Sequence, residues 1–339
     1  WALVPRESCR LDSGTARRYN RAQVLVWGKK PMSIAMVFPG QGSQSVGMQA
    51  DLAELYPIVQ TTYAEASEVL GYDLWRLTQE GSDERLNETT VTQPAMLTAG
   101  VATCRIWQEQ NGAEPSCMAG HSLGEYTALV CSDAMDFLDA VALVKRRAEL
   151  MHAAVPLGVG AMAAIIGLDD DAVMTLCDEA SGIGVAEAVN FNSPGQVVIA
   201  GHRESVVRAI ERAEDAGARR AIMLHVSVPS HSSLMTEAGT ALEEPLAATA
   251  VSQPRVSVFN ATTAEPYTNP DAIRQHLARQ VHSPVRWVDT VEAMVATGVT
   301  GIIEFGPGRV LAGLTRRIAR DVKVGSIDSP ANLQKALDF

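Results

Sequence analysis

The chain has 339 residues, of which 47% are apolar and only 5% are aromatic. This length predicts two structural units, and the composition suits helices packed on a buried sheet. The formal net charge of −11 argues against nucleic acid as a partner, because phosphate binding needs a basic surface. No apolar run approaches the roughly 20 residues of a membrane-spanning helix, so no membrane partner is expected.

Residues 1–31 differ in composition from the rest of the chain. They include seven basic and two acidic residues, show little apolar periodicity, and lack the apolar core and cleavage site of a secretory signal. We expect a non-native or disordered leader here. Without it, the formal charge of the remaining chain is about −16.

Five cysteines are scattered along the chain, without a CxxC pair or a histidine at zinc spacing. This pattern predicts a reducing, cytoplasmic location and no structural metal. The five are Cys9, Cys104, Cys117, Cys131 and Cys177.

Three short apolar runs are each followed by a glycine-rich corner and a helical pattern. They lie at Ile34–Phe38, Cys117–Ala119 and Ile302–Phe305. Repeated strand-to-helix units of this kind predict an α/β fold, with a parallel sheet covered by helices. Ligands are then expected at the carboxyl ends of the strands.

The middle of the chain has a different pattern. Its predicted elements are a strand at 160–166, a helix at 169–180, strands at 184–189 and 196–200, a helix at 204–216 and a strand at 219–226. The order βαββαβ is that of a ferredoxin-like unit. We therefore predict a large domain of residues 32–157 and 229–339, an inserted small domain of residues 158–228, and a ligand cleft between them.

The sequence GHSLG at Gly120–Gly124 lies between a predicted strand and a predicted helix. In that context a G-x-S-x-G pattern indicates a sharp turn that presents Ser122 as a nucleophile near a helix N-terminus. The same residues also suit a glycine-rich corner with an incidental serine.

A serine nucleophile needs a base, and His231 is the favoured candidate. It follows the last strand of the small domain and a proline-containing turn, which returns the chain to the edge of the cleft. His121 adjoins Ser122, but its side chain should point away. Because no carboxylate stands out as a third member, we predict a Ser-His dyad oriented by a backbone or amide carbonyl.

A helix is predicted from Asp136 to His152, with an apolar stripe along one side. Arg147 lies roughly 75° from the centre of this stripe, and Arg146 lies roughly 175° away. An arginine that flanks a buried face suits a bidentate grip on a carboxylate, which would select an acyl group ending in a free acid. It suits equally well a side chain that extends along the helix to solvent.

Six features occur together and in order along the chain after residue 31. They are GQGSQ at Gly40–Gln44, GHSLGEY at Gly120–Tyr126, Arg147, NFNSPGQVVIAG at Asn190–Gly201, VPSH at Val228–His231 and GPG at Gly306–Gly308. This combination resembles the malonyl-CoA:acyl carrier protein transacylases of bacterial fatty acid synthesis. The family fold is an α/β-hydrolase-like domain with a ferredoxin-like insertion, in agreement with the architecture predicted above.

The resemblance implies a role for each matching residue. Ser122 would carry the malonyl ester, and His231 would be its base and later its acid. The main-chain amides of Gln41 and Leu123 would form the oxyanion hole. Arg147 would pair with the malonyl carboxylate.

Three further residues are implied in the same way. The main-chain carbonyl of Gln280 would orient the histidine. Asn190 and Asn192 match the polar edge of the cleft on the small domain, although a turn at a strand end would also use Asn. The implied reaction moves a malonyl group from malonyl-CoA to acyl carrier protein by a ping-pong route, with the coenzyme A thioester as substrate and no metal or bound cofactor.

Two other functions fit part of the pattern. An esterase or thioesterase shares the serine turn, but it usually places Asp or Glu between Ser and His and has no use for Arg147. A non-catalytic docking module would keep the turn as a relic. The sequence does not separate fatty acid from polyketide carrier proteins, although a chain without fused synthase domains favours fatty acid synthesis.

Overall fold

The computed structural model describes residues 33–224, 226 and 228–339, and the predicted leader, residues 1–31, lies outside them. The strands in these residues are β1 Ile34–Phe38, β2 Cys117–Gly120, β3 Gly160–Ile166, β4 Ala186–Ser193, β5 Gln196–His202, β6 Arg220–Met223, β7 Ser257–Phe259, β8 Gly301–Phe305 and β9 Lys323–Ile327. The helices are α1 Ala50–Leu55, α2 Ile58–Leu70, α3 Leu74–Glu80, α4 Asp83–Leu86, α5 Thr89–Glu109, α6 Gly124–Cys131, α7 Phe137–Ala154, α8 Asp170–Ala180, α9 Arg203–Asp215, α10 Thr236–Ala248, α11 Pro270–Gln280, α12 Trp287–Ala296, α13 Val310–Ile318 and α14 Pro330–Leu337.

The larger sheet has five strands in the order β7-β2-β1-β8-β9, and all of its pairings are parallel. Every residue of β1 and β8 is buried. Met36 and Val37 are successive residues of β1, yet they belong to different apolar clusters, because alternate side chains of a strand point to opposite faces. The prediction of a parallel sheet covered by helices is confirmed.

The smaller sheet has the order β4-β5-β3-β6 and is antiparallel throughout. Val173 of α8 and Val206 of α9 pack in one apolar cluster with residues of this sheet, so both helices cover the same face. This strand order, together with the chain order βαββαβ, is the ferredoxin-like arrangement predicted from the sequence.

Two strands of the smaller sheet extend beyond their predicted ends, β5 by two residues and β4 by four. The strand expected at 184–189 spans Ala186–Ser193, with register shifts that involve Asn190 and Ser193. The main chain continues because Phe191 donates to the carbonyl of Val285 at 2.9 Å. Asn and Ser indicate a turn by local propensity, but pairing with a distant segment keeps these residues extended.

A buried carboxylate lies near the end of β8. Glu304 is 0% exposed and accepts hydrogen bonds from the main-chain amides of Leu311, at 3.1 Å, and Ala312, at 2.7 Å. These amides belong to the first turn of α13, whose free N–H groups need acceptors. Burial raises the pKa of Glu304 to about 7.

The turn between β2 and α6 requires a glycine for packing reasons. A Cβ atom on Gly124 would lie 2.0 Å from the carbonyl oxygen of Phe38, which belongs to the main chain of β1. The amide of His121 also donates to this oxygen, at 3.0 Å. The β2–α6 turn can therefore approach the end of β1 this closely only with glycine at position 124.

We expect Gly124→Ala to lower the free energy of unfolding by about 1 to 3 kcal/mol, because the new methyl group meets backbone that cannot move aside. Gly313→Ala is the matched control, since a Cβ atom there on α13 would meet no described atom within 4 Å beyond its own helix turn. In that helix, alanine should raise stability by about 0.5 to 1 kcal/mol. Urea unfolding measures both, and equal effects of the two substitutions would contradict the packing argument.

Candidate active site

Ser122 sits at the tip of the turn between β2 and α6. Its φ of 53° lies in the left-handed region, which is costly for a residue with a side chain. A Cβ on Gly120 would come within 1.9 Å of the main chain of Gly124, so the turn closes tightly only with glycine there. This strained strand-to-helix turn matches the one predicted for a nucleophilic serine.

The structure brings His231 against Ser122. Its Nε2 lies 2.7 Å from the serine Oγ, and its Nδ1 lies 2.8 Å from the main-chain carbonyl oxygen of Gln280. A carbonyl can only accept a hydrogen bond, so Nδ1 carries the proton and Nε2 accepts from the serine hydroxyl. This is the geometry of a serine with its general base, oriented by a backbone carbonyl.

The imidazole of His231 is held in its neutral form. The side chain is only 3% exposed, and burial, together with the nearby positive charge of Arg147, lowers the pKa of His231 to about 3. A neutral imidazole is the form that can accept the serine proton.

Arg147 reaches the same site from α7 and is 1% exposed. Its Nη1 donates to the side-chain oxygen of Gln93 at 2.5 Å, and its Nη2 donates to Gln280 Oε1 at 3.0 Å and to Ser122 Oγ at 3.3 Å. The guanidinium also lies 5.5 Å from the ring centre of Tyr126. The helix geometry left open whether Arg147 is buried or extends to solvent, and the structure shows that it is buried.

No carboxylate forms a salt bridge with Arg147 in residues 33–224, 226 and 228–339. Within the same residues, its Nε is a buried donor without a hydrogen-bond partner. Burial lowers the pKa of the guanidinium, although arginine remains charged in proteins. A buried positive charge with neutral neighbours is suited to pairing with an anionic ligand group.

Gln41 and Leu123 lie on the two loops that meet beside Ser122. A Cβ on Gly40 would be 2.6 Å from the main-chain oxygen of His121, so the two loops approach each other closely next to Ser122. Neither Gln41 nor Leu123 donates its main-chain amide to a backbone oxygen in the described turns and loops. Both amides therefore remain available to a ligand oxygen.

Asn190 and Asn192 occupy β4 and reach a different part of the site. The side-chain oxygen of Asn192 accepts a hydrogen bond from His121 Nε2 at 2.8 Å, and His121 makes no described side-chain hydrogen bond to Ser122. The side-chain nitrogen of Asn190 is buried without a partner among the described residues. Neither asparagine makes a described hydrogen bond to Ser122, and only Asn192 makes one to His121.

Sequence reasoning missed Gln93, Glu125 and Tyr267. Glu125 follows the serine turn directly and is 1% exposed, and its carboxylate accepts from Gln280 Nε2 and from the hydroxyl of Tyr267. Burial raises the pKa of Glu125 to about 7. A charged residue in an otherwise apolar helix was the available signal for Glu125, whereas Gln93 and Tyr267 gave none.

The part of the chain covered by the structure holds no group of three or more His, Cys, Asp or Glu side chains that could bind a metal ion. None of its helices combines the length and the apolar character of a membrane span.

Comparison with known proteins places this geometry in a family. Residues 35–328 match the family model described as the acyl transferase domain. The malonyl CoA-acyl carrier protein transacylase of Escherichia coli K12 is 55% identical over 305 residues, which make up 90% of this chain and 99% of that protein. The chain belongs to the acyl transferase family. The enzyme of the same name from Bacillus subtilis is 42% identical over 90% of this chain and 96% of its own length.

Solved structures of acyl transferases are similar to this chain in both fold and sequence. A malonyl-transacylase in complex with its type II PKS acyl-carrier protein has a TM-score of 0.89 and 51% identity, and the match covers 90% of this chain and 99% of that one. The malonyl CoA-acyl carrier protein transacylase of Coxiella burnetii also has a TM-score of 0.89, with 44% identity over 91% of this chain and 98% of its own. The family resemblance predicted from the motifs is confirmed.

We expect His231 to keep a neutral imidazole, with its proton on Nδ1, from about pH 8 to about pH 5, below the usual histidine pKa. The pKa of His231 falls from 6.5 to about 3 in the folded protein. Between these values the unfolded chain binds the proton more readily, so the free energy of unfolding decreases as the pH drops through that interval. Nitrogen NMR shifts of histidine-labelled protein measure the protonation state, and a His231→Gln sample assigns the signal. A titration midpoint near 6.5 would contradict the buried neutral form.

Proposed function

We propose that this acyl transferase moves a malonyl group from malonyl-CoA to the phosphopantetheine thiol of acyl carrier protein, through an ester on Ser122, and so supplies malonyl groups for fatty acid chain elongation. The relatives named above carry this activity in their names. A malonyl-transacylase of the same fold binds a carrier protein. The coenzyme A thioester is the substrate, and the proposed chemistry needs no bound cofactor.

The observation that carries this proposal is the position of Arg147. Its guanidinium lies 3.3 Å from the nucleophile Oγ, is buried, and is surrounded by neutral acceptors. A malonyl ester on Ser122 ends in a free carboxylate close to this oxygen. Such a carboxylate supplies the negative charge that the described neighbours of Arg147 do not, and two parallel hydrogen bonds would fix its orientation.

The first half-reaction begins with attack of Ser122 Oγ on the thioester carbonyl. The serine proton passes to His231 Nε2, 2.7 Å away, while the amides of Gln41 and Leu123 donate to the oxyanion. Collapse of the tetrahedral intermediate breaks the C–S bond. The imidazolium then protonates the departing thiolate, which leaves free coenzyme A and a malonyl ester.

The second half-reaction reverses these roles with a different thiol. The phosphopantetheine thiol gives its proton to His231 and attacks the ester carbonyl, and the imidazolium returns the proton to Ser122 as the C–O bond breaks. Transfer succeeds only if this thiol reaches the ester before water does. Shielding of the ester is therefore as important as activation of the serine.

The remaining assignments follow the same proposal. The large domain, residues 32–157 and 229–339, supplies the nucleophile, base and arginine. The small domain, residues 158–228, supplies Asn190 and Asn192 as a polar wall for the substrate. We place the protein in the cytoplasm, where malonyl-CoA and carrier protein meet.

Incubation with malonyl-CoA tests the ester directly. The intact protein should gain the mass of one malonyl group, because attack by Ser122 leaves the acyl group on the chain, and Ser122→Ala should gain none. Addition of phosphopantetheinylated carrier protein should then remove the group and transfer it to the carrier. Electrospray mass spectrometry follows both steps, and rapid release of free malonate without a protein adduct would instead indicate a hydrolase.

Replacement of the arginine tests acyl selectivity. Arg147→Ala should reduce malonyl transfer about 30-fold to 1000-fold, which corresponds to about 2 to 4 kcal/mol for a buried charge-assisted pair. Acetyl transfer should fall far less, since an acetyl group has no carboxylate. Arg146→Ala is the matched control, because Arg146 is 52% exposed and pairs with Glu149 on the surface. Equal losses for malonyl and acetyl groups would exclude a carboxylate-binding role for Arg147.

A further inference from the structure

Glu125 is a buried carboxylate beside the nucleophile that the proposed reaction does not use. It lies in the first turn of α6, three residues after Ser122, and its Oε1 accepts from the Tyr267 hydroxyl. Its Oε2 accepts from Gln280 Nε2 and, at 3.4 Å, from the main-chain amide of Ala261. All three donors lie between residues 261 and 280, more than 130 positions along the chain from Glu125.

The amide of Gln280 has a single orientation that satisfies its neighbours. Its Nε2 has two hydrogens and faces two acceptors, namely Glu125 Oε2 and, at 2.9 Å, the carbonyl oxygen of Ser122. Its Oε1 faces Arg147 Nη2 at 3.0 Å. If the amide were reversed, Oε1 would meet these two acceptors, and Nε2 would meet a guanidinium that can only donate.

We infer that Glu125 is a positioning residue, which orients the Gln280 amide so that its oxygen holds Arg147 in place for the acyl carboxylate. This inference rests on the proposed malonyl transfer and adds a residue to its selectivity. Glu125 itself touches no reacting atom. In its ionised form the Glu125 carboxylate only accepts hydrogen bonds, and so it does not compete with Gln280 as a donor.

The geometry separates this role from the support of His231. The histidine is held by the main-chain carbonyl of Gln280 at 2.8 Å, whereas Glu125 contacts the side-chain amide. Loss of the Glu125 acceptor should therefore disturb Arg147 more than the Ser-His pair. Malonyl transfer, which needs the guanidinium, should suffer more than acetyl transfer, which has no carboxylate for the guanidinium to bind.

The test compares Glu125→Met, which keeps the side-chain length but has no strong acceptor, with Glu125→Gln, which keeps one carbonyl oxygen. We expect Glu125→Met to reduce kcat/KM for malonyl-CoA about tenfold to 100-fold while acetyl-CoA changes less than about threefold. Glu125→Gln should recover most of the malonyl activity. Glu304→Gln is the matched control, because it replaces another fully buried carboxylate and should leave the malonyl-to-acetyl ratio unchanged.

A double-mutant cycle shows whether Glu125 acts through Gln280. In a Gln280→Met background, which keeps the main-chain carbonyl, replacement of Glu125 should not alter the malonyl-to-acetyl ratio further, since the intermediary amide is already gone. If Glu125→Met fails to fold, as thermal unfolding would show, Glu125→Ala, which also lacks an acceptor but has a smaller side chain, takes its place in the cycle.

Three outcomes would overturn the inference. They are equal loss of malonyl and acetyl transfer, activity of Glu125→Gln as low as that of Glu125→Met, and additive effects in the cycle. Each can be observed only if the wild-type protein transfers malonyl groups. A wild-type protein that forms no malonyl ester would overturn the proposed function itself, so the two failures remain distinct.

Discussion

A buried guanidinium held by neutral acceptors is the constraint on which this site depends. Removing a charged group from water is costly unless hydrogen bonds and opposite charge replace the lost solvation. Arg147 receives part of this compensation from Gln93, Gln280 and the face of Tyr126. The Gln280 amide lies between Arg147 and the carboxylate of Glu125. The site therefore stays attractive to an incoming carboxylate.

Gln280 connects the chemical parts of the site because its main chain and its side chain serve different partners. Its carbonyl oxygen orients His231, and its amide contacts Arg147, Glu125 and the carbonyl of Ser122. It is the last residue of α11, where main-chain carbonyls lack partners within the helix. A helix end thus supplies the acceptor that a carboxylate supplies in a serine triad.

The overall architecture could be predicted from the sequence because it depends on local patterns. Short apolar runs before glycine corners predicted the parallel sheet, and the order of elements between residues 158 and 228 predicted the ferredoxin-like unit. The predicted end of β4 was wrong, because Asn190 and Asn192 suggest a turn by propensity. Pairing of Phe191 with Val285 overrides that propensity, and a contact 94 positions away along the chain leaves no local signal.

The sequence by itself determined the tight turn at Ser122, because its strained backbone requires glycine neighbours that are visible as a pattern. It also placed Arg147 at the border of a buried helix face, because helical periodicity is a local property. Only the tertiary structure decided that Arg147 is buried rather than extended to solvent, and that Glu125 supports it through Gln280. These contacts join side chains that are distant in sequence, and they form when separate helices pack together. The spacing of the residues along the chain does not predict that packing.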